Sequence, residues 1–345
     1  MTDVARSPQA PPNTEAIQHV MQLGTGFIVS AALGVAARLN IPDQLAAGPR
    51  TSAELAAATG ADADALYRLL RALAMVGVFT ETAPRTFALT PAGETLKSDG
   101  PGVREMVLWM CDEFHYRVYA EMFDGVRTGK PVGEQVVGMP VFEYLAKDQA
   151  LGERFNNAMT SFSASVAPAV LEAYDFTGIG TLVDIAGGHG MLLGSILQRY
   201  PSMRGVLFDL EHVLAGNRLA QLGVQDRVQL ASGDFFKAVP AGGDAYILKH
   251  IIHDWDDEKA LTILRNIRTA LDGRADGKVL LVESVLAPGD QPDFGKLIDL
   301  EMLLLPGGKE RSAEEFAALF ARAGFALNRV VPTGSPLAVV EARVA

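Results

Sequence analysis

The chain has 345 residues, which suits about two domains, and 49% of them are hydrophobic, enough for a sizeable core. Acidic residues outnumber basic ones 41 to 30, which argues against a partner held by phosphate contacts. The single cysteine, Cys111, excludes an intrachain disulfide and a cysteine-built zinc site, and fits a reducing cytoplasm.

Residues 1–13 read as a loose tail rich in Pro and Ala. No charged region followed by a long apolar core is present there, so no signal peptide is expected. Residues 14–39 read as a helix that is apolar on most sides, broken or tightened at Gly24, Gly26 and Gly34. Its apolar stretch, residues 27–39, is too short and interrupted to span a bilayer. A helix so apolar is expected to be buried, here against a second subunit, so a homodimer and no membrane are predicted.

Asn40-Ile41-Pro42-Asp43 is expected to start a short helix through Ala47. Thr51 and Glu54 form a capping box, with a Thr oxygen for free amides and a Glu three residues on. Asp62 caps a helix over 63–76 that lines up Leu66, Leu69, Leu70, Leu73 and Val76. Residues 78–80 and 86–89 flank Ala83-Pro84-Arg85 as a hairpin. Three helices and a hairpin make a winged-helix pattern. The helix that would enter a DNA groove carries only Arg68 and Arg71 and starts beside Asp62 and Asp64, so no nucleic-acid partner is expected.

Residues 103–127 read as one helix rich in aromatic residues, 129–139 as a loop, and 140–145 and 150–174 as helices. From Thr181 short apolar strands (182–185, 205–208, 228–230, 245–249, 279–283) alternate with helices (191–200, 212–222, 257–271). That alternation implies an α/β fold with a parallel, doubly wound, Rossmann-like sheet. Residues 329–331 and 337–342 are candidate edge strands. The expected divisions are a dimerisation domain at 14–102, a helical linker and pocket region at 103–176, and a cofactor domain at 177–345.

The first strand leads into Asp184-Ile185-Ala186-Gly187-Gly188-His189-Gly190. Glycines in such a turn let the backbone pass close to a ligand. Asp209 ends the second strand, where an acid binds ribose hydroxyls. These features alone fit a nicotinamide dinucleotide as well. Two others favour S-adenosylmethionine: Asp184 would welcome a cation and repel a pyrophosphate, and Asp234-Phe235 after the third strand suits an adenine amino group and ring. The acidic run Asp254, Asp256, Asp257 and Glu258 is read as favourable charge at a helix start, and no metal is expected. His189 reads as a spacer, His250 as core or pocket wall, and His115 as a pocket or dimer contact.

At this point the chain resembles the S-adenosylmethionine-dependent small-molecule O-methyltransferases of the plant caffeic acid and bacterial polyketide types. The resemblance runs from about Ile17 to the C-terminus. It is carried by the glycine turn, Phe208-Asp209-Leu210, Gly233-Asp234-Phe235, Leu248-Lys249-His250-Ile251-Ile252-His253-Asp254-Trp255, and Gly307-Gly308-Lys309-Glu310-Arg311. It implies that Gly187, Asp209, Asp234, Phe235 and Lys249 line the cofactor site. It also implies that His253 is the general base with Glu283 and Glu310 beside it, and that Phe155, Met159 and Met302 touch an aromatic substrate. A winged-helix-like dimerisation domain follows as well.

Methyl transfer from a sulfonium is a direct displacement, so alignment of oxygen, carbon and sulfur is the main task. The acceptor must also lose a proton. A phenol with a pKa of about 10 keeps it at neutral pH, and a positioned His takes it during transfer. A carboxylate on the other ring nitrogen fixes the tautomer; Glu283 is expected there, with Glu310 assisting. The expected function is methylation of a hydroxyl on a small aromatic or polyketide-like molecule. The alternative is a relative that keeps the cofactor for decarboxylation, hydroxylation or a pericyclic step. Intact His253, Glu283 and Glu310 argue against it.

Overall fold

The computed structural model describes residues 13–100 and 102–345. The expected tail falls almost wholly on residues 1–12, outside the described residues. The chain divides into two compact units, Met1–Gly100 and Pro101–Ala345.

The first unit opens with α1 (Thr14–Arg38), capped by the Asn13 side chain. The expected breaks at its glycines do not occur: the helix is continuous, and a side chain at Gly24 or Gly26 would meet no atom within 4 Å. Its 25 residues are long and apolar enough to cross a membrane by length and composition, contrary to the expectation from residues 27–39. Only its C-terminal part packs within the unit, through Gly34, Ala36 and Ala37, while Ile17, Val20, Leu23 and Phe27 are exposed. After α2 (Ile41–Gln44) and β1 (Arg50–Thr51) comes α3 (Ser52–Thr59), whose capping box is formed in both directions. Asp62 caps α4 (Ala63–Met75), which buries Leu66, Leu70 and Leu73. Strands β2 (Phe79–Ala83) and β3 (Thr86–Leu89) pair antiparallel with β1 on the far edge, and α5 (Pro91–Glu94) follows.

The second unit starts with short helices. The single helix expected over 103–127 is three: α6 (Arg104–Met110), α7 (Glu113–Ala120) and α8 (Met122–Thr128). Asp112 stops the first by turning its carboxylate onto the amide of Phe114 and capping the next. The expected loop after Gly129 contains α9 (Gly133–Val137). Then come α10 (Val141–Lys147) and the long α11 (Gln149–Ala173).

The remainder is a seven-stranded sheet. Its parallel strands are β4 (Thr181–Ile185), β5 (Arg204–Asp209), β6 (Val228–Ser232), β7 (Ala245–Lys249) and β8 (Lys278–Glu283). The antiparallel β9 (Phe325–Pro332) and β10 (Ala338–Val344) complete it, giving the order β6-β5-β4-β7-β8-β10-β9. Thus, of the two expected edge strands, β10 is internal and β9 is an edge; β6 is the opposite edge. Helices α12 (Met191–Arg199), α13 (Glu211–Leu214), α14 (Asp257–Ala270), α15 (Gly295–Leu304) and α16 (Ala313–Arg322) connect them. The last two carry no clear signal in the reading above. The helix expected over 212–222 ends at Leu214, and the chain then passes the His189 ring, where a side chain at Gly216 would come within 2.7 Å of His189 Nε2. The core lies on both faces of this sheet, as a doubly wound fold requires.

Candidate active site

In a doubly wound sheet, ligands bind beyond the carboxyl ends of the strands, where the strand order reverses. Here β4 lies between β5 and β7, and a cavity of about 590 Å³ opens at their ends. Asp184, Gly187, Asp209, Asp234, Phe235 and Lys249, expected on the cofactor, all line it. Of the three residues expected on the substrate, Phe155 and Met159 line it from α11. Met302 does not. It is buried in α15, and its backbone carbonyl accepts from the amides of Gly307 and Gly308.

The glycine turn is built around two carboxylates. Asp209 accepts from the amide of Gly188 at 2.8 Å and from its neighbour Leu210 at 2.7 Å. Gly187 passes so close to Asp184 that a Cβ would lie 2.5 Å from its carboxylate oxygen and 2.5 Å from Leu207. Asp184 is buried, and its Oδ2 has no hydrogen-bond partner among the described residues. Burial pushes its pKa up to about 7 against the pull of Lys249, and Asp209 adds to the rise. An orphaned buried oxygen beside a backbone cradle is what a cationic ligand relieves. The residues therefore fit S-adenosylmethionine better than a dinucleotide, whose pyrophosphate would meet Asp184.

At the other end, β7 runs into a strained loop. His250 has a left-handed φ of 53°, a conformation costly for a non-glycine residue. Its amide is tied to the carbonyl of Val282, and its ring stacks on Phe162 at 5.0 Å. Burial first, then His253 and Lys249, hold the His250 imidazole well below its ordinary pKa, so it is neutral.

His253 follows in a single 3-10 turn, Ile252–Asp254. Its ring centroid is 4.4 Å from that of His250. Its Nδ1 lies 2.7 Å from Glu310 Oε1 and 3.9 Å from Glu283 Oε2. The carboxylate expected to orient the imidazole was Glu283; geometry gives that contact to Glu310. Glu283 Oε1 instead accepts from the amides of Ile251 and Ile252 at 3.1 and 3.0 Å, and so holds the backbone of the histidine turn. Burial raises the pKa of both acids, Glu310 to about 8.

Gly308 and Arg311 explain the last motif. A Cβ on Gly308 would stand 1.9 Å from the carbonyl oxygen of His253, so only glycine lets the two loops touch. The amide of Lys309 donates to that same oxygen. Arg311 is fully buried and donates to the carbonyls of Ile252 and Trp255 and to Asp257 Oδ1. It thus clamps the histidine turn from below, and Glu310 arrives with it.

His253 itself does not line the cavity. Its side chain is 6% exposed, behind a wall made by His250, Ile251 and Asp254. Asp254 escaped the reading as helix-start charge. The cap of α14 is Asp256, whereas Asp254 faces the cavity with its pKa pushed up to about 7, by burial above all and by Glu283 and Glu310, against His253 and Lys249. Its position directly after His253 was the available signal. His189 is more than a spacer: its Nδ1 meets Thr160 Oγ1 at 2.9 Å, and Arg218 reaches Asn157 one turn away, so the cofactor turn is latched to α11. His115 lies off the cavity, buried between Trp109 and Glu301. No metal is expected from the motifs; among the described residues, ligand atoms of His250, His253 and Glu283 do gather within 4.8 Å.

The chain matches two known family models. A model described as an O-methyltransferase domain matches residues 119–326, and one described as an O-methyltransferase dimerisation domain matches residues 21–99. A phenazine O-methyltransferase of Lysobacter antibioticus is 48% identical over 94% of this chain and 95% of its own length. An 8-amino-8-demethylriboflavin N,N-dimethyltransferase of Streptomyces davaonensis is 36% identical over 97% of this chain and 98% of its own length. Among solved structures, an O-methyltransferase from neocarzinostatin biosynthesis superposes with a TM-score of 0.78 at 35% identity, covering 92% of this chain and 96% of its own. It was solved with S-adenosylmethionine and 2-hydroxy-5-methyl naphthoic acid.

Proposed function

The chain belongs to the O-methyltransferase family, and on that footing we propose that it moves the methyl group of S-adenosylmethionine onto a hydroxyl of a small, flat aromatic molecule, acting as a homodimer in the cytoplasm. The observation that carries this reading is the buried His253–Glu310 pair immediately behind a cavity whose other end holds Asp184, Gly187, Asp209, Asp234, Phe235 and Lys249.

When bound, S-adenosylmethionine supplies an activated methyl group, so the protein has to align the partners and dispose of one proton. Asp209 receives the ribose hydroxyls, fixed in place by the two amides it holds. Asp234 and Phe235 receive the adenine. Asp184 faces the cationic end, where its ionised form is favoured. Phe142, Phe155 and Trp255 offer flat walls to the acceptor ring, and Met159 fills in around it.

His253 takes the acceptor's proton on Nε2, since Nδ1 is held by Glu310. Glu310 then stabilises the imidazolium. A second reading is favoured by one observation: Asp254 lies on the cavity wall, which His253 does not, with its pKa pushed up to about 7. That value suits a general base at neutral pH. The exposed apolar side of α1 supports the dimer, because a surface of that kind is covered in solution.

The test uses S-adenosylmethionine with a labelled methyl group and a panel of hydroxylated aromatic compounds. Label is expected on an acceptor oxygen. Label on nitrogen would place the protein with its N-methylating relatives, and no transfer despite binding of S-adenosylhomocysteine would defeat the reading. His253→Ala is expected to slow turnover about 10²–10⁴-fold with cofactor affinity intact. If Asp254→Asn does so while His253→Ala does not, Asp254 is the base.

A further inference from the structure

The charges around the cavity are unevenly divided between its two ends. Asp184, Asp209 and Asp234 lie at the cofactor end with Lys249. At the acceptor end the charged side chains are Glu153, at the exposed rim of α11, and Asp254 on the inner wall. Both are acids. Among the described residues that line the cavity, Lys249 is the only Lys or Arg, and its charge is already faced by Glu283, Asp184 and Asp254.

Nearby cations are spent elsewhere. Arg154, next to Glu153, turns away to Asp112, and Arg218 reaches Asn157; neither lines the cavity. Arg311 is committed to backbone carbonyls and Asp257. Of the three lining histidines, His189 and His250 are held below their ordinary pKa by burial, and His212 stands beside Asp209 at the cofactor end, away from the acceptor. A carboxylate carried in on an acceptor would lose its water and meet the acids Glu153 and Asp254 at that end, with no lining Lys or Arg except Lys249, which acids already face. A buried charge of that kind is strongly disfavoured. An uncharged ring faces no such cost, and the aromatic walls receive it as they stand.

We propose that the acceptor is an uncharged aromatic hydroxyl compound, and that Glu153 and Asp254 exclude aromatic carboxylates of the kind bound by the neocarzinostatin relative. This rests on the reading of the cavity as a methyltransferase site. It narrows that reading, because relatives with similar folds take carboxylated rings.

Matched pairs test it: a naphthol against the corresponding hydroxynaphthoic acid, and a hydroxyphenazine against its carboxylated counterpart. Binding of each is measured by calorimetry at pH 8 to protein saturated with S-adenosylhomocysteine. The uncharged member of each pair is expected to bind at least about tenfold tighter, equivalent to about 1.4 kcal/mol. In Glu153→Lys the gap is expected to shrink, since the rim then offers a cation. Equal or tighter binding of the acids overturns the proposal, as does an unchanged gap in Glu153→Lys. Failure of both members to bind, with S-adenosylhomocysteine bound, also overturns it. Failure of S-adenosylhomocysteine itself to bind would instead defeat the underlying reading.

Discussion

Glu310 Oε1 stands 2.7 Å from His253 Nδ1, while Glu283 Oε2 stands 3.9 Å away on the same side of the ring. Two acids therefore flank one imidazole with different duties. Glu310 addresses the ring, and Glu283 holds the backbone that carries it.

The two acids should fail differently. Glu310→Gln leaves a hydrogen-bonding group but removes a carboxyl that can ionise against an imidazolium, so turnover should drop with little change in melting temperature. Glu283→Ala leaves the amides of Ile251 and Ile252 without their acceptor. Each buried orphan costs about 1–3 kcal/mol, so this variant should lose stability as well as activity. Thermal unfolding and steady-state rates on both proteins check this. A stable Glu283→Ala beside an unstable Glu310→Gln would reverse the assignment.

Asp184 should couple cofactor binding to protons. Its pKa is raised from 3.8 to about 7 in the folded chain, chiefly by burial. Between those values the folded protein keeps a proton that the unfolded chain has lost. The stability this group contributes is therefore present at low pH and falls as pH rises through about 7. A cationic ligand favours the ionised carboxylate, so binding of S-adenosylmethionine near pH 6 should release a proton and tighten as pH rises. Calorimetry in buffers of different ionisation enthalpy measures that proton. Asp184→Asn should abolish the buffer dependence; its persistence would assign the proton to another group.

Glycines at two positions should respond oppositely to alanine. Gly308→Ala drives a Cβ to within 1.9 Å of the His253 carbonyl, so the loops must part. Overpacking of this kind costs about 1–3 kcal/mol, and here it also displaces Glu310 from the imidazole. Gly24→Ala meets nothing and sits inside a helix, where alanine is favoured by about 1 kcal/mol. Melting temperatures should fall for the first and hold or rise for the second. A stable, active Gly308→Ala protein would contradict the loop contact.

The exposed side of α1 should govern assembly. Leu23 and Phe27 are 68% and 64% exposed in the single chain. Changing both to Glu places charge where a partner would bury apolar surface. Light scattering should report a dimer for the native protein and a smaller particle for the variant. A native monomer at micromolar concentration would remove the dimer from the proposed function.

The sequence by itself determined the elements whose causes are local. The capping box of Thr51 and Glu54, the Asp62 cap and the alternation of strands and helices after Thr181 rest on neighbours in the chain, and all are present. Five of the six positions expected on the cofactor were legible for a related reason: in a doubly wound sheet, residues at strand ends converge whatever the loops do; Lys249 came from the family resemblance, and all six line the cavity. Helix extents were less legible. One helix over 103–127 is three, with the Asp112 side chain competing with the backbone at the first break, and α13 ends at Leu214, before the chain passes the His189 ring at Gly216. What only the tertiary structure decided is which distant group meets which. Nothing near Glu310 in the chain announces that it, and not Glu283, reaches His253. That follows from Gly308 and Arg311 docking one loop on another 57 residues away in sequence. Nor does any local pattern say that Met302 turns from the cavity, because that depends on how the segments after β7 and β8 pack together.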